Sequence, residues 1–248
     1  MWVHNLNPVF LSIGPVELRY YGLVYFFGFL FLWWWCRSSR LGKEVFHSVD
    51  DADDMLFYVL LGSMIGARVF YGLFYNVSLY LENPLEILQF WKGGMSIHGG
   101  LLGGFLGLWY FTKKKQNYSL LKLGDVVVLP LAVGLFFGRI ANFINGELPG
   151  RITSVSWGVQ FPFHEGIRHP SQLYEAVKNL CIAGILAWQL QRPQKEGTLL
   201  GTFLLLYGIL RFSVEYLREP EIVLGIFTMG QVLSLIVIGA SIYILKKR

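Results

Sequence analysis

Tyr207, Arg211, Glu215 and Arg218 stand at i, i+4, i+8 and i+11 of one apolar run. At ~100° per residue that spacing gathers them within an arc of about 80° on one helix face. In another apolar run Arg139, Asn142 and Gly146 share a face, with Glu147 beside it. Such groups suit an oxyanion: guanidinium forks donate paired hydrogen bonds to a phosphate, and neighbouring carboxylates orient the forks. The alternative for Arg211 is a structural ion pair with Glu215 one turn on. His98, in the glycine-dense run Gly93-Gly94-Met95-Ser96-Ile97-His98-Gly99-Gly100, offers an imidazole able to take a proton near neutral pH. Tyr21 and Arg68 are further polar groups embedded in apolar sequence.

The elements that hold these residues follow from composition. Of 248 residues, 54% are hydrophobic, 17% aromatic and only 15% charged. A soluble domain carries about 25% charged residues, so this chain reads as an all-α polytopic membrane protein. The spans are expected at about 18-36, 55-75, 94-112, 124-145, 172-190, 199-217 and 226-245, in one transmembrane domain. The stretch 146-171 is expected as an outer, cap-forming connection, and the first seventeen residues as an interfacial segment without a cleavable signal pattern. Twelve basic residues fall in one set of connections, around Arg37, Lys113, Arg192 and Lys246 to Arg248. Five, namely Arg19, Lys92, Arg151, Arg168 and Arg218, fall in the other. The positive-inside rule then places the N-terminus outside and the C-terminus in the cytoplasm, most simply across a plasma membrane.

Arg68, Arg139, Lys178 and Arg211 remain inside spans, where a charge costs several kcal/mol unless it is paired or solvated. Arg68, Arg139 and Arg211 each precede the outer end of a span by about six or seven residues, which at ~1.5 Å per residue puts them about 10 Å below the outer surface. His98 and Tyr21 enter the same slab. Three arginines at one depth with too few carboxylates beside them call for an anionic ligand, and a lipid phosphate fits. Glycines at four-residue spacing, Gly62 and Gly66, Gly99, Gly103 and Gly107, and Gly134 and Gly138, are expected to let helices approach closely. Cys36 and Cys181 lie in apolar sequence and read as packing residues.

Other chemistries fit less well. The basic residues are separated by apolar runs rather than gathered on a water-facing surface, which argues against nucleic acid. His164, Glu165 and His169 lack the spacing of a zinc helix. A hydrolase built on Ser96 and His98 would need an irregular backbone, because residues two apart point to opposed helix faces. An anion transporter should carry polar residues through the full membrane depth and an internal repeat, whereas the inner halves here are apolar.

The segments Gly93 to Leu101, Gly138-Arg139-Ile140-Ala141-Asn142-Phe143-Ile144-Asn145-Gly146-Glu147-Leu148-Pro149-Gly150-Arg151, and His169-Pro170-Ser171-Gln172-Leu173-Tyr174-Glu175 resemble the prolipoprotein diacylglyceryl transferase family. Order and spacing agree from Tyr20-Tyr21-Gly22 to Met229-Gly230-Gln231. The resemblance implies a bacterial inner-membrane enzyme of lipoprotein maturation, embedded among membrane lipids. It would move the diacylglyceryl group of phosphatidylglycerol onto the lipobox cysteine of lipoprotein precursors and release glycerol 1-phosphate, with no cofactor and no metal. It assigns essential places to Tyr21, His98, Arg139, Asn142, Gly150 and Arg211, and supporting ones to Glu147, Tyr207, Glu215 and Arg218. In that chemistry Arg139 and Arg211 would hold the phosphate, with Arg68 as a third candidate. The thiol proton would go to His98, or the arginine field alone would raise the thiolate fraction. Tyr21 and Asn142 would position the head group. Ala141, Pro149 and Lys92 depart from the family pattern without touching these groups.

Overall fold

The computed structural model describes residues 2–14, 16–89, 94–220 and 222–247. Lys92, Gly93 and Arg248, which entered the charge and motif arguments, lie outside the described residues. The helices are α1 (Tyr20–Ser38), α2 (Arg40–Val45), α3 (Val49–Phe74), α4 (Val77–Glu82), α5 (Ile97–Lys114), α6 (Leu120–Ile144), α7 (Ser171–Gln189), α8 (Thr198–Val214) and α9 (Met229–Lys247). Seven of these, all but α2 and α4, follow the seven expected apolar runs to within a few residues.

Among the described residues, length and hydropathy together mark four as able to cross a membrane: α3, α6, α8 with the turn that extends it to Leu217, and α9. The other three long helices fall short by that measure for visible reasons. Tyrosine and tryptophan crowd α1, glycine crowds α5, and α7 carries Gln172, Glu175, Lys178 and Asn179. The largest boundary difference is at α3, which begins at Val49 rather than near 55. Ser48 Oγ accepts from Asp51 N at 3.1 Å, and Asp50 and Asp51 occupy the first turn, where carboxylates favour a helix N-terminus.

The chain forms two compact units, residues 33–123 and residues 1–32 with 124–248. In the first, α3 and α5 meet through glycine, as the four-residue spacing predicts. A methyl added at Gly103 would stand 3.0 Å from Gly66 Cα, and one at Gly107 would stand 3.2 Å from Val59 Cα. One end of this pair is tied by Asp51, which accepts from Lys115 Nζ at 2.6 Å and from Tyr118 Oη at 2.7 Å.

In the other unit, strands flank the helices where the sequence suggested only an interfacial segment and a connection. β1 (Trp2–Val3) pairs in parallel with β4 (Val159–Gln160), which pairs antiparallel with β5 (Ile167–Arg168). β2 (Val9–Ile13) and β3 (Val16–Arg19) form a hairpin, as do β6 (Val223–Leu224) and β7 (Phe227–Thr228). Asp125, near the start of α6, caps α8 from a distance: its carboxylate accepts from Gly197 N at 2.6 Å and from Leu200 N at 2.7 Å. Two of the orphan donors at that helix start are thereby satisfied. Gly208 on α8 lies against α9, where an added methyl would meet Ser234 O at 3.1 Å. The expectation of close packing does not hold at Gly134 and Gly138, because a β-carbon at either would meet nothing within 4 Å.

Glycine contact and glycine spacing therefore separate experimentally. Gly103→Val should destabilise the protein by about 1–3 kcal/mol or more through overpacking against the α3 backbone. Gly134→Ala, facing open space, should leave stability unchanged or slightly raised. Thermal unfolding of both purified variants checks this, and equal losses would show that spacing alone decides.

Candidate active site

A cluster of charged side chains fills the junction of α6, α7 and α8 in the unit of residues 1–32 and 124–248. At its centre is Glu175, whose side chain has no exposed surface. Glu175 Oε2 accepts from Lys178 Nζ at 2.7 Å, one turn along α7. The same carboxylate pairs with Arg139 Nε of α6 at 3.8 Å and with Arg211 Nε of α8 at 3.5 Å. Arg211 Nη1 donates to Glu215, the i+4 pair the spacing allowed. Glu215 also faces Arg218 Nε at 3.7 Å and accepts from Thr228 Oγ1 at 2.8 Å. Gly230 packs on that carboxylate, and a methyl there would lie 2.6 Å from Glu215 Cδ. Lys178 Nζ lies 3.9 Å from the centre of the Tyr207 ring.

A second line of contacts runs outward from Arg139. Its Nη1 donates to Asn142 Oδ1 at 3.3 Å, and Asn142 Nδ2 donates to Glu147 at 3.1 Å. Tyr25 on α1 lies within electrostatic reach of Arg139 and Glu147, and its hydroxyl donates to Tyr21 Oη at 3.3 Å. Gln172 Nε2 holds the Glu147 carbonyl at 2.5 Å, and Ser171 Oγ holds the Leu148 carbonyl at 3.0 Å. Gly150 is a crossing point of backbones. Its N–H donates to His169 O at 2.8 Å, and a methyl there would stand 2.8 Å from His169 Cβ. Arg151 N then donates to Leu217 O at 3.0 Å and Arg151 Nε to Arg218 O at 2.8 Å, fastening the loop to the end of α8.

The cluster has four cations, Arg139, Lys178, Arg211 and Arg218, beside three carboxylates, Glu147, Glu175 and Glu215. The arginines are thus better paired than the sequence suggested, because Glu175 and Glu215 stand beside them, yet one positive charge remains in excess. Arg139 and Arg211 make their hydrogen bonds through Nη1 and their Glu175 contacts through Nε. Their Nη2 groups make no hydrogen bond among the described residues. Arg218 Nη1 is buried without a partner. This donor set suits a tetrahedral oxyanion better than a further carboxylate pair.

His98 and Arg68 belong to the unit of residues 33–123. His98 is exposed on the first turn of α5, its ring 6.4 Å from that of Phe70. Ser96 is the N-cap of α5, extended at φ −94° and ψ 126°, with its hydroxyl toward Gly99 N. No hydrogen bond joins Ser96 to His98 among the described residues, which leaves the hydrolase alternative without its nucleophile-base pair. Arg68 is buried at 3% exposure and spends its donors on backbone carbonyls: Ile87 at 3.1 Å, Gly94 at 3.1 Å, Glu86 at 2.6 Å and Gln89 at 3.0 Å. Those bonds fold the segment before α5 and do not present a fork to an outside phosphate.

Of the residues singled out in the sequence, the structure gathers Arg139, Asn142, Glu147, Tyr207, Arg211, Glu215 and Arg218 into one charged network. Glu175 was missed as its centre. The signal was available, since Glu175 precedes the intramembrane Lys178 by three residues, the spacing of a helical ion pair.

The fold and the cluster together define a helical membrane protein with a buried charged centre. A family model for prolipoprotein diacylglyceryl transferase matches residues 8–246, so the chain belongs to that family. A relative from Nitratidesulfovibrio vulgaris (strain DP4) is 42% identical over 249 residues, covering 98% of this chain and 94% of its own length. One from Pseudoalteromonas translucida (strain TAC 125) is 44% identical over 238 residues, covering 93% and 88%. A third, from Aliivibrio fischeri (strain ATCC 700601 / ES114), is 44% identical over 249 residues, covering 97% and 89%. All three bear the name phosphatidylglycerol--prolipoprotein diacylglyceryl transferase.

Proposed function

We propose that this chain transfers the diacylglyceryl group of phosphatidylglycerol to the lipobox cysteine of lipoprotein precursors. The carrying observation is the excess positive charge around Glu175, with the Nη2 groups of Arg139 and Arg211 making no hydrogen bond among the described residues, in a chain of this family. The cysteine sulfur attacks the glyceryl carbon that bears the phosphate. A C–S bond forms, the C–O bond breaks, and the pair of electrons leaves on the phosphate of glycerol 1-phosphate. Arg139 and Arg211 hold that phosphate and strengthen their grip as its charge grows. Asn142 and Tyr21 position the head group; Glu147 and Glu215 orient the arginines; Tyr207 and Arg218 line the same centre. Gly150 keeps the outer loop fastened beside it. Arg68 shapes the segment leading into α5, and His98 accepts the thiol proton.

The seven long helices are taken as seven spans of a bacterial inner membrane, with the N-terminus outside, the C-terminus cytoplasmic and 146-171 as an extracytoplasmic connection. Support comes from the asymmetry of basic residues between the two sets of connections. Tags that report only from the cytoplasm should be active after Lys115 and after Lys247 and silent within 151–168. A cytoplasmic signal from the last position overturns the orientation.

The reaction is tested with purified protein, phosphatidylglycerol and a lipobox peptide by following glycerol 1-phosphate release. No release sinks the assignment. In that assay Arg139→Lys should lose about 10²-fold in rate, because an ammonium cannot reproduce the fork of a guanidinium on phosphate. Near-normal transfer at normal membrane levels would reduce Arg139 to a generic counter-charge.

His98→Gln should keep phosphatidylglycerol binding, slow transfer by about 10²-fold at neutral pH, and recover as pH approaches the ~8.5 of a free thiol. The sign follows from the substrate: above its own pKa the thiol ionises unaided and needs no acceptor. A pH-independent defect with weakened lipid binding would remove His98 from the catalytic groups.

A further inference from the structure

Lys178 has no part in the chemistry above, yet it is 5% exposed and makes the shortest contact to the central carboxylate. Charge compensation alone does not account for it. Glu175 already has Arg139 and Arg211 within 4 Å, and a third cation adds repulsion among groups that repel one another. What Lys178 changes is how the carboxylate is shared. Nζ, 2.7 Å from Oε2, takes the hydrogen bond of the oxygen that Arg139 Nε approaches at 3.8 Å, while Oε1, 3.5 Å from Arg211 Nε, makes no hydrogen bond among the described residues. Those separations exceed the ~2.7–3.2 Å of a hydrogen bond, so neither arginine is locked in a fork-to-fork pair. The Tyr207 ring, 3.9 Å from Nζ, holds the ammonium in place on its other side.

We propose that Lys178 is a positioning residue of the transfer reaction: by binding Oε2 and fixing the orientation of the Glu175 carboxylate, it keeps the outer donors of Arg139, and through that fixed carboxylate those of Arg211, for the lipid phosphate. This rests on the assignment of those arginines to the phosphate. Without the ammonium, a carboxylate buried between two guanidinium groups draws one or both into bidentate pairs. Donors meant for phosphatidylglycerol are then consumed inside the protein.

The test is a double-mutant cycle on the full-length protein in phosphatidylglycerol-containing vesicles, reading KM for the lipid and kcat separately. Lys178→Met, similar in length and apolar, should raise KM about tenfold or more, the size of effect expected when a charged hydrogen-bond donor is lost from a ligand. Adding Glu175→Gln to that background removes the competing carboxylate, and KM should fall at least about threefold below that of Lys178→Met, although the loss of a group that holds the arginines keeps it above that of the unaltered protein. A lysine that only stabilises the fold gives the opposite result, because a second buried substitution then adds to the first. An unchanged KM in Lys178→Met, or a double variant as poor as the single one, overturns the proposal. So does the absence of both variants from the membrane, since a positioning residue is not needed for folding. Should the arginines not hold phosphate at all, Arg139→Lys alone leaves KM and kcat unchanged, whatever Lys178 does.

Discussion

Glu175 is a carboxylate with no exposed surface in a chain built for a membrane, and much of the site follows from the need to compensate it. An isolated buried charge costs several kcal/mol, so cations must reach it from more than one direction. Lys178 comes from its own helix, Arg139 from α6 and Arg211 from α8. Three helices are thereby fixed in register around one group. The same demand makes α7 the most polar of the long helices, with Gln172, Glu175, Lys178 and Asn179 all buried.

Smaller constraints propagate from that centre. Glu215 must sit beside Arg211, and Gly230 leaves the space it occupies. Thr228 satisfies the carboxylate's other oxygen and ties β7 and the start of α9 to the end of α8. Gly150 allows two backbones to cross where a side chain would collide, which fastens the loop carrying Glu147 to Arg218. In the unit of residues 33–123 the organising device is different: Arg68 satisfies the backbone carbonyls of Glu86, Ile87, Gln89 and Gly94 ahead of α5. A buried guanidinium can fold a loop as well as bind a ligand, and the bonding partners distinguish the two.

Periodicity made much of this legible in the sequence. The long helices were readable because each apolar run is long, and the stripe of Tyr207, Arg211, Glu215 and Arg218 was readable because helical geometry fixes which residues share a face. The strands of the N-terminal segment and of 146–171 were not, since β1, β4 and β5 are two residues each and depend on partners far away in sequence. Glu175 escaped because depth was counted for cations and not for the acids that must accompany them. Arg68 was grouped with Arg139 and Arg211 by depth alone, whereas its environment is set by a neighbouring loop that periodicity does not describe. Gly134 and Gly138 carry the same spacing as the packed glycines of α3 and α5 but face open space. Spacing reports which residues share a face, not whether anything lies against it.

The residual charge of the centre bears directly on the proposed chemistry. Phosphatidylglycerol brings a phosphodiester with one negative charge, enough to balance the single excess cation among Arg139, Lys178, Arg211 and Arg218. As the C–O bond breaks, the leaving phosphate monoester acquires a second negative charge. In the proposed reaction the arginines would donate through Nη2, which makes no hydrogen bond among the described residues, and their interaction would strengthen as charge builds on the departing oxygen. Differential binding of that kind lowers the barrier, whereas uniform binding would only lower KM. It also explains why the carboxylates matter: they hold the guanidinium groups in place before the lipid arrives, and reorganisation need not occur during the reaction. The balance is narrow, because a carboxylate that grips the arginines too closely takes the donors that the leaving phosphate requires.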